Sequence, residues 1–531
     1  MQSSFSYSDC YQQYIQNNCP TINEDMLHCI SLILEKTAWD TPQSAIDWNN
    51  LGVIALIEAE HCSDQMREVY LEMAVEAFSN EAENHPLCTA HLALVHSILG
   101  ELEKASQVAF SAFVNTFKPT YNSAKKIPPG LIYLPSARKY LAINQNDQLN
   151  HILQTQDGYV QSLLLSSEVL CRSELCFYSP MGLRLLQLAA QLLPHATSIN
   201  LRLGISSFIN NQWEGLFYLH RAQEATPDDA AVLQALHIIY RDLGQPEVAS
   251  YWLKISSDLY EKNSTSPKWY WTQVTVDSPL TYVTFEDSLL MAVEPSFCSI
   301  VTSVLLAEGD WFEKEMEFWR NWIHPGMTII DVGANVGIYT FSAARRVGAE
   351  GCVLAVEPFS GCVRCLKETC RINHYSWVKV CAGAASDHNG TAHLSLHDAS
   401  ELNEIVSLNA EAKIPGDYEE ITCFTLDSLC DLHNLHRVDF LKIDAEGHEI
   451  SVLKGSEKVL AQFFPIILYE NIASNQGSNR EVAEFLKSKE YQLFHYQPYI
   501  QRLVSVDSIE DFQEQLNLIA VPNRKTFELN L

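Results

Sequence analysis

From about residue 40 to 260, apolar residues recur at three- and four-residue spacing with few β-branched runs, a period that predicts helices along nearly the whole stretch. Beyond about residue 263 the pattern changes. Tyr282-Val283-Thr284-Phe285 reads as a strand, and short apolar runs then alternate with helical stretches. Strands are predicted at 327–332, 353–356, 377–382, 438–444 and 465–470, with helices starting at Gly337, running through Arg371, and starting at Glu449. The runs at 327–332 and 464–469 are apolar almost throughout, as expected when helices cover both faces of a parallel sheet. The alternation predicts a doubly wound α/β domain.

The helical half carries a recurring spacing. Leu92-x3-His96-x3-Gly100-x4-Ala105 is matched by Leu236-x3-Tyr240-x3-Gly244-x4-Ala249, each reading as a helix, a glycine turn and a second helix. Trp48-x2-Leu51-Gly52 resembles the first-helix signature of a tetratricopeptide repeat, and Pro86 and Pro227 sit where such repeats end. Other antiparallel helical bundles share this spacing. Residues 56–73 look too long between helices for a standard unit, and 119–136, with Pro119, Pro128, Pro129, Gly130 and Pro135, predict a loop. The expected division is a helical extension over 1–40, a helical repeat domain over 41–262 and an α/β domain over 263–531.

At 531 residues the chain is too long for one ordinary core, and 47% hydrophobic with 19% charged residues excludes a disordered chain. The 65 acidic against 35 basic residues give a net charge of −30, so nucleic acid and acidic membrane surfaces are not expected partners. No run approaches the ~18 to 20 apolar residues of a membrane helix, and the start lacks a basic region followed by an apolar stretch. The 15 scattered cysteines read as reduced thiols, so the expected location is the cytosol. Cys362-x2-Cys365-x4-Cys370 falls in a predicted helix without a fourth ligand, and no metal site is expected there.

Candidate chemistry sits at the carboxyl ends of the strands. The first strand-to-helix turn reads Asp331-Val332-Gly333-Ala334-Asn335-Val336-Gly337. Gly333 turns tightly, Gly337 lets the helix pack close, and Asn335 is short enough to meet a ligand. The carboxylate of Asp331 disfavours a diphosphate but suits a phosphate-free sulfonium cofactor with an ammonium group, S-adenosylmethionine rather than NAD. Glu357 closes the second strand where an acidic residue accepts from ribose hydroxyls. Ser386-Asp387, followed by Asn389-Gly390-Thr391, reads either as a plain turn or as the place that holds an adenine amino group. On the acceptor side, Lys442-Ile443-Asp444-Ala445-Glu446-Gly447-His448-Glu449 crowds ionisable groups at the fourth strand's end. Asp444, Glu446 and His448 are the candidates to orient and deprotonate an acceptor. The competing account is that Glu446 and Glu449 favour the next helix's N-terminus while Lys442 neutralises its neighbours. Glu470-Asn471 would complete the pocket or cap a helix, and the polar run 474–479 would cover it.

Together, Asp331–Thr340, Glu357-Pro358, Ala385-Ser386-Asp387, Thr425-Leu426-Asp427-Ser428-Leu429 and Val438–Gly447, in this order, resemble the FkbM methyltransferases over roughly residues 300–500. The resemblance implies a class I methyltransferase fold, S-adenosylmethionine as donor, and an oxygen acceptor on a small molecule, sugar or natural product. It also implies that Phe312-Glu313 lies over the cofactor. The expected whole is α + α/β: an N-terminal helical, tetratricopeptide-like repeat domain, then a Rossmann-like class I methyltransferase domain. The repeats would recognise the acceptor, free or carrier-bound, or a protein partner. The alternatives are an interaction scaffold with an inert or cofactor-sensing methyltransferase domain, N-methylation of a peptide or protein, and, more remotely, an NAD-dependent oxidoreductase.

Overall fold

The computed structural model describes residues 6–19, 22–62, 64–116, 127–135, 145–172, 180–261, 266–286, 288–397, 400, 403–406, 418–471, 479–498, 501–506 and 515–526. Two compact units emerge, Met1–Ile239 with Pro498–Ile500, and Tyr240–Gln497 with Gln501–Leu531. The expected boundary at 262–263 thus falls inside the second unit.

The first unit is helical: α1 (Tyr7–Asn18), α2 (Glu24–Lys36), α3 (Ala45–His61), α4 (Asp64–Ser79), α5 (Pro86–Ile98), α6 (Leu102–Thr116), α7 (Gln145–Gln154), α8 (Gly158–Arg172), α9 (Pro180–Leu192), α10 (Thr197–Ile209) and α11 (Gly215–Ala225), with α12 (Ala230–Asp242) crossing into the second. Helices α3–α4, α5–α6 and α10–α11 pack as consecutive pairs. The expected long gap in 56–73 does not exist, because α3 continues to His61 and α4 starts at Asp64.

The glycine turns form as expected. Gly100 and Gly244 take left-handed φ of 78° and 67°, and the following amides, Glu101 N and Gln245 N, reach back to the carbonyls of His96 and Tyr240 at 2.9 and 2.8 Å. That is the helix ending in which a left-handed residue lets orphan carbonyls find donors. A third copy went unread because asparagine replaces glycine: Asn211 has φ 56°, and Gln212 N donates to Ser207 O at 2.8 Å. Asparagine tolerates this conformation better than most side chains.

The expected loop at 119–136 is described only from Ile127, and from Gly130 to Pro135 it is a buried extended segment. Leu131, Ile132 and Tyr133 have no exposed surface. Buried backbone must find partners, and helix side chains supply them. The Tyr11 hydroxyl donates to Ile132 O (2.9 Å) and accepts from Ile132 N (3.1 Å), while that of Tyr14 does the same for Leu134 O (2.6 Å) and N (2.8 Å). Asn50 Oδ1 accepts from Leu131 N, Asn49 Nδ2 donates to Leu131 O, and Gln161 holds both polar groups of Gly130. Prolines signalled the absence of helix correctly, but Leu-Ile-Tyr-Leu between them is apolar enough to be drawn into the core.

The second unit begins with α13 (Pro246–Tyr260) and a hairpin of β1 (Thr281–Phe285) and β2 (Leu289–Val293), followed by α14 (Ile300–Glu308) and α15 (Glu315–Trp322). Then come β3 (Thr328–Val332), α16 (Ile338–Val347), β4 (Cys352–Glu357), α17 (Ser360–Ile372) and β5 (Val378–Ala382). A small sheet holds β6 (Ala384–Ala385), β7 (Gly390–Ser395), β8 (Glu404–Val406) and β9 (Tyr418–Phe424), in the order β6-β9-β7-β8. The chain continues through α18 (Leu426–Leu432), β10 (Phe440–Ile443), α19 (Glu449–Lys454), α20 (Glu457–Phe463), β11 (Ile466–Glu470), α21 (Arg480–Ser488), β12 (Tyr491–Gln497), β13 (Arg502–Ser505) and β14 (Asn517–Pro522).

The main sheet has the order β13-β12-β14-β11-β10-β3-β4-β5. Strands β11, β10, β3, β4 and β5 are parallel, whereas β14 is antiparallel to β11. The chain steps one way from β3 to β4 and β5, and the other way from β10 to β11. The strand order therefore reverses between β3 and β10, and a crevice opens beyond their carboxyl ends. Every residue of β3 and of β10 is buried, the charged Asp331 and Lys442 included, as expected of central strands covered on both faces. The Cys362, Cys365 and Leu366 side chains are buried on one face of α17, and none of the described cysteines forms a disulfide. No helix among the described residues is long and apolar enough to cross a membrane.

Candidate active site

The reversal point brings Asp331, Lys442 and Asp444 together. Register places Lys442 opposite Asp331 and Ile443 opposite Val332, and Asp444 N donates to Val332 O at 3.1 Å. The chain after β3 then turns sharply over β4: Gly333 N and Ala334 N both donate to Val356 O, at 3.0 and 3.2 Å. Gly333 has φ 70°, and a Cβ there would stand 1.7 Å from the Asp444 carbonyl oxygen. Gly337, at φ 104°, starts α16, and a Cβ would meet the Phe341 ring at 2.4 Å. Both glycines are thus demanded by backbone and packing.

Glu357 ends β4 and is pinned by two backbone amides, Asn335 N on Oε2 and Phe359 N on Oε1, each at 2.8 Å. Asn335 spends its own Oδ1 on Val336 N (2.7 Å) and takes φ 50°, so it shapes the turn. Asp331 has no exposed surface; its Oδ2 accepts from Thr340 Oγ1 at 2.6 Å, and its buried Oδ1 has no protein partner. A buried carboxylate oxygen left without a donor is costly unless a ligand supplies one.

One buried cation serves the whole group. Burial opposes the charge on Lys442, but the carboxylates of Asp444 and Asp331 outweigh it and hold its pKa above the ordinary value. Lys442 Nζ donates to Asp444 Oδ2 at 2.8 Å and lies 4.7 Å from the centre of the Tyr339 ring. The Tyr339 hydroxyl donates to Glu313, which also accepts from Asn517 Nδ2 at 3.2 Å. Helix α16 is itself anchored by an ion cluster: Glu286 accepts from Arg320 Nε (2.7 Å), Arg346 Nη1 (2.9 Å) and Ser342 Oγ (2.6 Å).

Beyond β10 the chain makes a tight turn held by Glu449, whose Oε1 accepts from Ala445 N and Gly447 N at 3.0 Å and whose Oε2 accepts from Asn479 Nδ2 at 2.9 Å. Glu446 is thereby set in a left-handed conformation, φ 47°. Ligand atoms of Asp444, Glu446 and Glu470 lie within 4.8 Å of one another. Burial, then the Asp444 charge, pushes Glu446 up to about 7, and the same causes with Glu446 added raise Glu470 well above the carboxylate range. His448 points elsewhere: its Nε2 shares a 3.0 Å hydrogen bond with Ser386 Oγ, and burial lowers its pKa. Ser386 Oγ also donates to Asp387 Oδ1 at 3.3 Å, and that same oxygen is 2.7 Å from His388 Nδ1.

Residues 331–493 match the methyltransferase FkbM domain. No curated protein matches the chain. Similar solved structures include a methyltransferase FkbM from Methylobacillus flagellatus KT, at 15% identity over 42% of this chain and 53% of that one, TM-score 0.26. A putative O-methyltransferase from Klebsiella pneumoniae matches at 13% identity, 40% of this chain and 79% of that one, TM-score 0.23. An O-methyltransferase from Bacillus cereus in complex with SAH matches at 15%, 39% and 80%, TM-score 0.24. This chain therefore spans about half the length of the Methylobacillus structure.

The FkbM-matched stretch contains Asp331, Gly333, Asn335, Gly337, Glu357, Ser386, Asp387, Asp444, Glu446 and His448; Glu313 lies before it but joins the group through Tyr339. Sequence reading missed Thr340, Tyr339 and Asn517 as partners of this crevice. Thr340 was legible in principle, three residues after Gly337 in the first turn of a predicted helix, whereas Asn517 arrives from a distant antiparallel strand. Of the run 474–479, only Asn479 is described, and there it binds Glu449 rather than covering the crevice.

Glu357 carries a pH prediction. Burial foremost pushes its carboxyl up to about 7, against an ordinary 4.5. The folded chain then holds this proton more tightly than the unfolded chain. The contribution to stability is complete below pH 4.5 and lost as pH rises to about 7, worth on the order of 3 kcal/mol for such a shift. Thermal unfolding of the ligand-free protein should show Tm falling between pH 5 and 7.5, with a shallower fall in Glu357→Gln. Equal slopes would show that Glu357 does not titrate in this window.

Proposed function

We propose that the second unit is an S-adenosylmethionine-dependent methyltransferase that methylates an oxygen of a small-molecule, sugar or carrier-bound acceptor. The observation carrying this reading is the unpartnered, buried Oδ1 of Asp331 beside the pinned carboxylate of Glu357, at the reversal point of an FkbM-matched sheet. This donor set suits the ligand. It offers acidic acceptors for an ammonium and for ribose hydroxyls, and its cation, Lys442, is taken by Asp444 rather than free for a diphosphate. Asp331 and Glu357 would hold the cofactor, Gly333, Asn335 and Gly337 would shape its bed, and Glu313 would close it from above. Ser386 and Asp387 would hold the adenine. When bound, S-adenosylmethionine supplies an electrophilic methyl group on a sulfonium.

Asp444, Glu446 and His448 are assigned to the acceptor. Glu446, with its pKa near 7, is half ionised at neutrality and suited to take the proton of an acceptor hydroxyl. Asp444, paired to Lys442, orients the acceptor. His448, whose pKa burial lowers, is bonded to Ser386, so its part in the site is to position that hydroxyl behind Asp444 and Glu446. The helical unit, with matching left-handed turns at Gly100 and Asn211 and a third at Gly244 just past its end, is read as tetratricopeptide-like and as the recognition surface for the acceptor or a partner. Transfer to an amine nitrogen is a second reading, favoured by the close trio of Asp444, Glu446 and Glu470, which would attract a cationic acceptor and take its proton.

Calorimetric titration tests the donor. S-adenosylhomocysteine should bind saturably and NADH should not, and Asp331→Asn should weaken the first by about 10- to 150-fold, the 1.5 to 3 kcal/mol of a charged hydrogen bond. Unchanged affinity in a folded Asp331→Asn protein would remove that residue from the site. NADH binding in place of S-adenosylhomocysteine would overturn the methyltransferase reading.

A further inference from the structure

The helical unit contains a cavity of about 800 Å³, bounded by α2, the start of α3, the end of α7 and the extended segment 127–131. Its wall is largely apolar, including Met26, Ile30, Ile33, Ile46, Pro129 and Leu153, with Asp47 and the exposed Lys36 as its charged members. Ordinary packing defects are no larger than a water or two, whereas small-molecule pockets span about 300 to 1,000 Å³. The space is preformed. One wall is the extended segment, whose backbone is pinned by Asn50, Asn49, Gln161 and Tyr11 and cannot slump inward.

Several polar groups in the wall are already engaged. Asp47 accepts from the amides of Ala38, Gln43 and Ser44 and from the Ser44 hydroxyl, and Thr37 is bonded to Ile33 O and Asn50. His85 is different: it is only 9% exposed, and its buried Nδ1 has no hydrogen-bond partner among protein atoms. Buried polar atoms are paired as a rule, so an unpaired one in a cavity wall points to a missing ligand atom. Burial pushes this imidazole down to about 4, so near neutrality it offers a hydrogen bond but no charge.

We propose that this cavity binds an uncharged, mainly apolar small molecule carrying one hydroxyl or amine N–H that hydrogen-bonds His85. The site is independent of the methyl-transfer crevice and rests on none of its residues.

The full-length protein should be titrated with N-phenyl-1-naphthylamine, an uncharged two-ring fluorophore with one N–H. Saturable one-to-one binding is expected, with displacement by 1-dodecanol at concentrations at least ~10-fold below those needed for dodecanoate. Cys29 lines the cavity and is partly exposed, while Cys298 is exposed in the other unit. Saturating 1-dodecanol should slow alkylation of Cys29 by N-ethylmaleimide at least ~5-fold and leave Cys298 unchanged. His85→Phe keeps a flat ring without the nitrogen and should weaken binding at least ~5-fold, and Ile33→Trp should fill the space and abolish it. The alkylation measurement uses the unaltered chain, so it decides the matter even where a variant fails to fold. Absence of saturable binding, or an unchanged Cys29 rate, overturns the site; tighter binding of dodecanoate than of the alcohol overturns the uncharged class.

Discussion

Replacing Gly333 with alanine should abolish measurable S-adenosylhomocysteine binding and lower the Tm of the second unit. The added Cβ would lie 1.7 Å from the carbonyl oxygen of Asp444 and 2.8 Å from its carbonyl carbon, and these are backbone atoms. They cannot yield cheaply, because Asp444 N is bonded to Val332 O and so ties the end of β10 to the end of β3. Relief would require parting the two strands that define the crevice. The left-handed φ of 70° adds roughly 1 to 2 kcal/mol for any residue with a Cβ. A loss of at least ~100-fold in affinity, about 2.7 kcal/mol, is the expected outcome. Gly447→Ala is the control: its φ is 89°, but a Cβ there would meet nothing within 4 Å, so it should incur the conformational strain alone. Parallel calorimetric and thermal measurements separate the two. If Gly333→Ala bound the donor as the unaltered protein does, the crevice would not be the cofactor site.

Glu446→Gln should cut turnover at least ~100-fold while changing donor affinity little, the usual consequence of losing a positioned proton acceptor. A carboxyl works as an acceptor only when ionised, so the rate should rise with pH through about 7, where burial and Asp444 place Glu446. That limb should vanish in Glu446→Gln. Asp444→Asn offers a sharper test. It should also lower turnover at least ~100-fold, because Lys442 loses its 2.8 Å partner and the acceptor its orienting group. It should move the remaining limb to lower pH as well, since the Asp444 charge is among the causes that raise Glu446. His448→Ala should cost less, its ring being bonded to Ser386 on the other side of the turn. Near-normal turnover by Glu446→Gln across the pH range would leave that residue with a conformational role only.

The elements whose pattern is local were legible without coordinates. Parallel strands covered on both faces are mostly apolar, so β3 and β11 stood out as runs apolar almost throughout, and Gly333 and Gly337 marked a tight turn that a Cβ would obstruct. Asp331 and Glu357 followed, because a carboxylate at a strand's end is placed by the strand. Long-range pairing was not legible. That Asn517 would reach Glu313 and that Glu470 would stand beside Asp444 depend on how β14 and β11 align with β10. The same holds in the helical unit. Periodicity announced the helices and glycine announced the turn at Gly100, but Asn211 did the same work unmarked. The prolines of 119–136 excluded helix without saying whether the chain ran outside or inside. Tyr11, Tyr14, Asn49, Asn50 and Gln161 settled that for 130–135, because only their convergence from distant helices makes a buried extended backbone affordable.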